Sequence, residues 1–160
     1  MQALPIRFYA PAAPYGCFSN FSQHPVTIYG RVWPTSEHAF QGMKSRNHAT
    51  QEVVRAKASP GKAAHYGRSL LLRADWNNVV SGSTLKLLQG VLVKDEIMYE
   101  VVLAKFTQNA NCRVELLSTG TATLIEAAES DPYWGEGCSK TGYNKLGQIL
   151  MLVREVLAKR

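Results

Sequence analysis

The sequence predicts an α+β fold, a mostly helical single domain over residues 1–160 with a small antiparallel sheet. Three observations favour this prediction. Helical patterns outnumber strand-like segments, these segments do not alternate with helices in a βαβ series, and no linker divides the chain. A chain of 160 residues is also long enough to bury a core of its own.

The strand-like segments are short and lie near the two ends of the chain. Residues 6–10 predict a first strand, and residues 26–33 predict a hairpin that turns at Tyr29-Gly30. Residues 123–127 predict a last strand. The hairpin supplies the antiparallel sheet of the predicted fold.

Helical patterns fill most of the remaining chain. A Ser-Pro-Gly run at 59–61 ends one helix and begins the next, which Gly67 ends. The strongest apolar period runs over residues 85–107 and predicts one long helix. Residues 129–143 are rich in glycine, serine and aromatic side chains and predict a long loop. The other predicted helices span 35–46, 49–58, 111–118 and 144–159.

The net charge of the chain indicates which classes of molecule it can bind. Lys and Arg total 18 against 12 Asp and Glu, a net charge of +6, which favours phosphorylated small molecules, nucleotides or nucleic acid. The cations are scattered, so a phosphate-bearing small ligand fits as well as a polynucleotide. No apolar run reaches transmembrane length and the N-terminus lacks the apolar core of a signal peptide, so we expect a cytoplasmic protein without membrane contacts.

Metal and redox chemistry are not indicated. Cys17, Cys112 and Cys138 form no CxxC pair and are predicted to be reduced thiols. The histidines have no metal-ligand spacing, so no metal site is expected. Kinase-like loops and serine-hydrolase elbows are also missing from the sequence.

The run from Trp33 to Lys44 is the most informative segment, since it is typical of a helix start that bears polar groups beside aromatic rings. Glu37, Gln41 and Lys44 share one helix face, and Phe40 lies beside them. Two helical turns separate Glu37 from Lys44 by about 10 Å, which both side chains can span around a sugar. This face suits a polar ligand; the alternative is a solvated stripe of Glu and Lys.

The long predicted loop is the second candidate. Gly135 and Gly137 permit close approach of the backbone to a ligand. Asp131 is suited to grip ribose hydroxyls or to act as a base, and Tyr133 or Trp134 to stack on a nucleobase-like ring. An ordinary surface loop is the alternative.

Further candidates lie elsewhere in the chain. Phe18 and Phe21 bracket Asn20, which suits either a ligand-binding loop or aromatic anchors beside a turn. Arg68 and Lys105 lie near predicted helix ends, where a cation either binds phosphate or complements the helix dipole.

These segments together resemble the NADAR family (NAD- and ADP-ribose-associated). The resemblance runs in order along nearly the whole chain, and its most specific parts are 33–44 and 131–147. The other matching segments are 8–9, 16–21, 67–68, 75–76, 104–106 and 124–126.

The resemblance implies cleavage of an N-glycosidic bond without a metal or organic cofactor, as in bacterial N-glycosidases of riboflavin-pathway intermediates. Glu37 or Asp131 would stabilise the cationic sugar and direct water, while Lys44 would attack C1 or hold phosphate. The residues assigned to substrate binding are Phe18, Asn20, Trp33, Ser36, Gln41, Arg68, Trp134, Gly135, Gly137 and Asn144.

Two alternative functions stay open. One is removal of ADP-ribose from guanine in nucleic acid, and the other is a non-catalytic ADP-ribose-binding module. Ala39 stands where relatives often carry an aromatic residue, and 136–143 is less rich in Gly and Lys than in those relatives. Both departures bear on the substrate more than on the reaction.

Overall fold

The computed structural model describes residues 3–85, 88 and 90–160, and within them it confirms the mostly helical α+β fold. A one-turn 3-10 helix at Gly16–Phe18 precedes the hairpin. The strands are β1 (Ile6–Phe8), β2 (Val26–Ile28), β3 (Arg31–Trp33) and β4 (Leu124–Glu126). The helices are α1 (Ser36–Gly42), α2 (His48–Arg55), α3 (Pro60–Arg68), α4 (Val93–Gln108), α5 (Ala110–Ser118) and α6 (Lys145–Ala158).

Helices α4 and α6 pack together at the centre of the core, with α1, α5 and β2 also against α4. Their facing side chains, including Val101, Ile149 and Val153, are completely buried. Burial of each such side chain contributes about 1.5–3 kcal/mol. No helix in the described part of the chain is long and apolar enough to cross a bilayer.

The strands form two separate pairs. β2 and β3 make the predicted antiparallel hairpin, in which Val26 lies opposite Trp33. Tyr29 and Gly30 both have positive φ, 55° and 73°, as a two-residue hairpin turn of type I′ requires. β1 and β4 form a parallel pair instead, with Phe8 opposite Glu126. This second pair brings a strand near the N-terminus next to a strand from the last third of the chain.

The long helix begins at Val93, so the prediction that it starts at residue 85 is wrong for the described residues; residues 86, 87 and 89 lie outside the description. Gly90 has a positive φ of 58°, and the N–H of Leu92 donates to Asp95 Oδ2 at 2.9 Å, which caps the helix start. Leu88 is buried but lies outside the helix. Because a buried position is apolar whether or not it is helical, Leu88 extended the apolar pattern beyond the true helix start.

Helix α1 is shorter than predicted, and this places Lys44 just beyond its end. Thr35 caps the start, where its Oγ1 accepts from the N–H of His38 at 3.3 Å. At the other end the N–H of Lys44 donates to the Gln41 carbonyl at 3.3 Å, which tightens the last turn. The predicted loop at 129–143 is confirmed, since it holds turns and bends only.

Candidate active site

A cavity of about 550 Å³ lies between α1, the start of α4, the end of β4 and the loop after it. The helix face at 33–44 and the loop at 131–137, far apart in the sequence, both contribute to its wall. Predicted site residues that line it are Asn20, Glu37, Gln41, Lys44, Arg68, Asp131 and Trp134.

Hydrogen bonds within and next to α1 fix its polar face. Glu37 Oε1 accepts from Gln41 Nε2 at 2.7 Å, one turn along the helix. The N–H of Glu37 donates to the carbonyl of Asn20 at 3.1 Å, which ties the segment before the hairpin to the helix start. Gly67 of α3 packs so closely that an added Cβ would lie 1.9 Å from Gln41 Oε1. The absence of a side chain at Gly67 therefore leaves room for Gln41.

Glu37 is buried, and the loss of water raises the pKa of its carboxyl. The negative charge of Asp131 raises the pKa further. The hydrogen bond from Gln41 and the positive charges of Lys44 and Arg68 act in the opposite direction. The net effect is a pKa above that of an exposed glutamate.

Lys44 reaches into the same cavity, where its Nζ donates to the carbonyl of Gly67 at 3.3 Å. Burial lowers its pKa, and the nearby cations Arg68 and Lys94 lower it further, against the effect of Glu37. A lower pKa increases the fraction of neutral amine, which is the nucleophilic form.

Asp131 holds the loop in shape. Its Oδ1 accepts the N–H groups of Tyr133 at 3.0 Å and Trp134 at 2.9 Å. This turn places the Trp134 ring edge-on to Phe40, with ring centres 5.3 Å apart. The ring of Trp76 also packs against Phe40, with ring centres 5.2 Å apart. We call Phe40, Trp76 and Trp134 the aromatic wall of the cavity.

Several cavity residues were not predicted from the sequence. Glu126, at the end of β4, and Lys94, in the first turn of α4, both line the cavity. Burial raises the pKa of Glu126 to about 8, and the charges of Asp131 and Glu37 add to this effect. Lys94 Nζ lies 3.9 Å from the centre of the Tyr133 ring, a cation–π contact. Position 126 lies in a segment that matches the family, and that match was the available signal.

Phe18 and Trp33 lie in the core instead of the cavity wall. Phe18 packs its ring against Phe8, with centres 5.6 Å apart. Trp33 covers Gly42, and its Nε1 donates to the Ile28 carbonyl at 3.2 Å. The structure thus gives both rings a packing role in the core, outside the cavity lining.

Three other predicted binding residues support the site from outside the cavity lining. Asn144 joins α6 to β4, because its Oδ1 accepts from the N–H of Glu126 at 2.9 Å and its Nδ2 donates to the Leu124 carbonyl at 2.8 Å. Gly135 and Gly137 pack closely within the loop, where Gly137 has a positive φ of 66°.

Ser36 and Lys105 are completely buried. Ser36 lies in the first turn of α1, and its hydroxyl has no partner among the described residues. The Nζ of Lys105 donates to the Ser19 carbonyl at 2.9 Å and to Ser22 Oγ at 2.7 Å. Lys105 is therefore not placed to bind phosphate in the cavity, because it lies outside the lining and two of its three N–H donors hold the segment that carries Asn20.

Cys17, Cys112 and Cys138 are free thiols. Among residues 3–85, 88 and 90–160, no group of three or more His, Cys, Asp or Glu side chains is arranged to hold a metal ion.

The sequence of residues 7–158 matches the family model of the NADAR domain. N-glycosidase YbiA of Escherichia coli (strain K12) is 41% identical over 160 residues, which cover 99% of this chain and 91% of that protein. The NMR structure of the E. coli protein YbiA matches with a TM-score of 0.83 and 40% identity, over 99% of this chain and 88% of that chain. Riboflavin biosynthesis protein VVA0006 of Vibrio vulnificus is 34% identical over 96% of this chain and 38% of its own length.

The chain belongs to the NADAR family, and its activity is that of an N-glycosidase. Enzymes of this class hydrolyse the bond between C1 of a sugar and a nitrogen atom. The cavity brings carboxyls, an amine and the aromatic wall together in one place.

Proposed function

We propose that the protein hydrolyses the C1–N bond of phosphoribosylamino-pyrimidine intermediates of the riboflavin pathway. The observation that carries this proposal is the convergence of Glu37, Lys44 and Asp131 on one cavity beside aromatic rings. The name of the Vibrio vulnificus relative, a riboflavin biosynthesis protein, supports the substrate class.

The polar lining favours a ligand rich in hydrogen-bond donors. Asn20 Oδ1, Gln41 Oε1 and Glu126 Oε2 are shielded from solvent and have no hydrogen-bond partner within the described ranges. A buried acceptor that stays unsatisfied costs about 1–3 kcal/mol, so hydroxyl and amino groups of a ligand are favourable there. Ribose hydroxyls and the amino groups of an aminopyrimidine are donors of this kind.

The base and the phosphate of the substrate require different surroundings. We place the pyrimidine against the aromatic wall, since an aromatic face stacks on a heterocycle. We place the phosphate near Arg68, which is exposed at the edge of the cavity, with Lys94 as a second cation.

Positive charge develops at C1 when the C1–N bond breaks, and anionic groups close to C1 lower the barrier. Glu37 and Asp131 supply this stabilisation and direct a water molecule. Lys44 reacts with C1 of the ring-opened substrate, in which C1 is a protonated imine carbon. The Nζ of Lys44 adds to C1, the amine leaves, and a Schiff base between Lys44 and C1 remains. Water then hydrolyses the Schiff base to the sugar aldehyde and the free lysine.

Borohydride trapping tests the role of Lys44. Reduction during turnover is expected to leave the mass of one sugar phosphate on Lys44. Lys44→Arg keeps the positive charge but removes the nucleophile, and it should lower kcat by at least about 10²-fold. Lys62→Arg, on an exposed position of α3 outside the cavity lining, serves as the control. An active Lys44→Arg enzyme with no adduct on the wild type would leave Lys44 only a phosphate-binding role.

A comparison of substrates tests the proposed function itself. The expected result is release of the pyrimidine from a phosphoribosylamino-pyrimidine and no release of ADP-ribose from ADP-ribosylated guanine in DNA. The opposite preference would make the protein an ADP-ribosyl-guanine hydrolase. Tight binding of ADP-ribose without turnover of either glycoside would make it a binding module.

A further inference from the structure

The backbone holds Glu126 firmly at the cavity. In β4 its N–H donates to Asn144 Oδ1 at 2.9 Å, and its carbonyl accepts from the N–H of Glu136 at 2.9 Å. The parallel pairing with β1 places it opposite Phe8. The side chain therefore enters the cavity from a fixed point, although no side-chain hydrogen bond to a described residue directs it there.

The Glu126 carboxyl differs from the other two acids in what surrounds it. Asp131 accepts two backbone N–H groups, and Glu37 accepts from Gln41. Glu126 Oε2 is closed to solvent without any partner in the described part of the chain. Hydrogen-bond donors stabilise a carboxylate, so their lack favours the neutral acid at this position.

Charges that face Glu126 come from several elements. Glu37 of α1 and Asp131 of the loop are negative and disfavour a third negative charge. Lys44, Arg68 and Lys94 line the same cavity as cations, but none of them forms an ion pair with Glu126 in the described structure. Burial raises the pKa of Glu126 to about 8, which keeps its proton at neutral pH.

We infer that Glu126 is the general acid of this enzyme, the group that protonates the leaving nitrogen. The inference rests on the proposed function, because it assigns a role within the same cleavage of a C1–N bond. The combination of acids in unlike surroundings is the arrangement by which active sites divide acid and base roles.

Protons and electrons balance in this step. Glu126 transfers its proton to the nitrogen as the C1–N bond breaks, and the bond's electron pair stays with nitrogen. The base leaves as a neutral amine, and Glu126 is left as a carboxylate. On the direct route water adds to C1, and the proton that it releases restores Glu126. On the covalent route the proton from Glu126 makes the imine nitrogen cationic before Lys44 displaces the amine, and the proton released when water frees the lysine restores Glu126. One water molecule is consumed for each bond cleaved.

The protonation state is tested without any substrate. Infrared difference spectra of the whole protein should show the carbonyl band of a neutral carboxylic acid at neutral pH, which is lost as the pH rises through about 8. Glu126→Gln should remove this band. Glu129→Gln, an exposed neighbour on the loop, should leave it unchanged. No such band in the wild type, or a component titrating near pH 8 that persists in Glu126→Gln, would overturn the inference.

Kinetics then separate an acid from a structural residue. Glu126→Gln should lower kcat/KM by about 10²–10⁴-fold, the usual contribution of a general acid. Across aminopyrimidine glycosides of graded leaving ability, the loss should be largest for the poorest leaving amine, and the alkaline limb of the pH profile should disappear. An equal loss for every leaving amine, or no loss, would overturn the acid role. A wild-type protein that cleaves none of these glycosides would instead overturn the proposed function.

Discussion

Three acids of the cavity have different surroundings although they share one solvent-poor space. Asp131 accepts two backbone N–H groups, Glu37 accepts one side-chain amide, and Glu126 Oε2 has no partner within the described residues. The number of donors to each acid decreases in that order. Burial is the largest cause of the raised pKa at both Glu37 and Glu126, and at Glu37 the hydrogen bond from Gln41 acts against it.

The raised pKa of Glu126 also makes stability depend on pH. Because the folded protein holds this proton more tightly than the unfolded chain, the stabilising contribution is complete at acid pH. It is lost as the pH rises to about 8. We expect the free energy of unfolding to fall across this range by up to about 1.4 kcal/mol per pH unit from this group alone.

Urea unfolding of the wild type and of Glu126→Gln at a series of pH values measures this contribution. The variant lacks the titrating group, so its stability should rise relative to that of the wild type between about pH 5 and pH 8. Parallel curves for the two proteins would show that Glu126 has the same proton affinity in the folded and unfolded chains. The comparison cancels groups that titrate elsewhere, such as Lys105.

Packing of α3 against α1 depends on Gly67. An added Cβ would lie 1.9 Å from Gln41 Oε1 and 3.2 Å from its Cβ, so Gln41 must move. We expect Gly67→Ala to separate Gln41 from Glu37, to lower kcat/KM and to cost about 1–3 kcal/mol of stability, as overpacking does.

Gly61 provides a matched control in the same helix. Its nearest neighbour to an added Cβ lies 3.9 Å away, an ordinary contact. Gly61→Ala should keep full activity and gain about 0.5–1 kcal/mol from helix propensity. Thermal melting and steady-state kinetics of both variants measure the difference. Equal activity in the two proteins would show that the position of Gln41 does not matter for catalysis.

Lys105 of helix α4 holds the segment that carries the cavity residue Asn20. Its Nζ holds Ser19 and Ser22, which flank Asn20. Burial lowers the pKa of Lys105 to about 8. Lys105→Met leaves buried acceptors unsatisfied, at a cost of about 1–3 kcal/mol.

We expect KM to rise more than kcat falls in Lys105→Met, because Asn20 loses its support while the acids stay in place. Lys62→Met on the exposed side of α3 is the control and should change neither quantity. Denaturant unfolding and steady-state kinetics provide both measurements. A stable variant with unchanged KM would show that the segment around Asn20 holds its position without Lys105.

Local sequence signals predicted much of the fold and one side of the site. Thr35 and Ser59 cap helices as expected, and Tyr29-Gly30 forms the hairpin turn. Glu37 and Gln41 share a helix face, which a period of 3.6 residues is enough to predict. These features depend on residues that are close in the chain.

Features that depend on distant residues were missed. Glu126 reaches the cavity because β4 pairs with β1, more than a hundred positions away, and no local pattern gives the orientation of a three-residue strand. Leu88 continued the apolar period of α4 only because the segment before the helix is also buried. Phe18 and Trp33 were assigned to the ligand because sequence alone does not distinguish an aromatic ring in the core from one in a cavity wall.

The whole molecule carries a net charge of +6, and its cavity is lined by three acids and three cations. This charge attracts anionic substrates from a distance, and salt screens the attraction. We expect kcat/KM for a phosphorylated substrate to fall as ionic strength rises, with kcat unchanged, in stopped-flow or steady-state assays. The same glycoside without its phosphate provides the control. Equal salt dependence of the two substrates would rule out steering of the phosphate.

The most direct test of the account is a crystal structure of Glu37→Gln with a bound phosphoribosylamino-pyrimidine. We predict that C1 of the sugar lies between position 37 and Asp131, within reach of Lys44, with the pyrimidine against the aromatic wall and the leaving nitrogen next to Glu126. A substrate bound outside the cavity, or one whose C1 faces away from these side chains, would contradict the account.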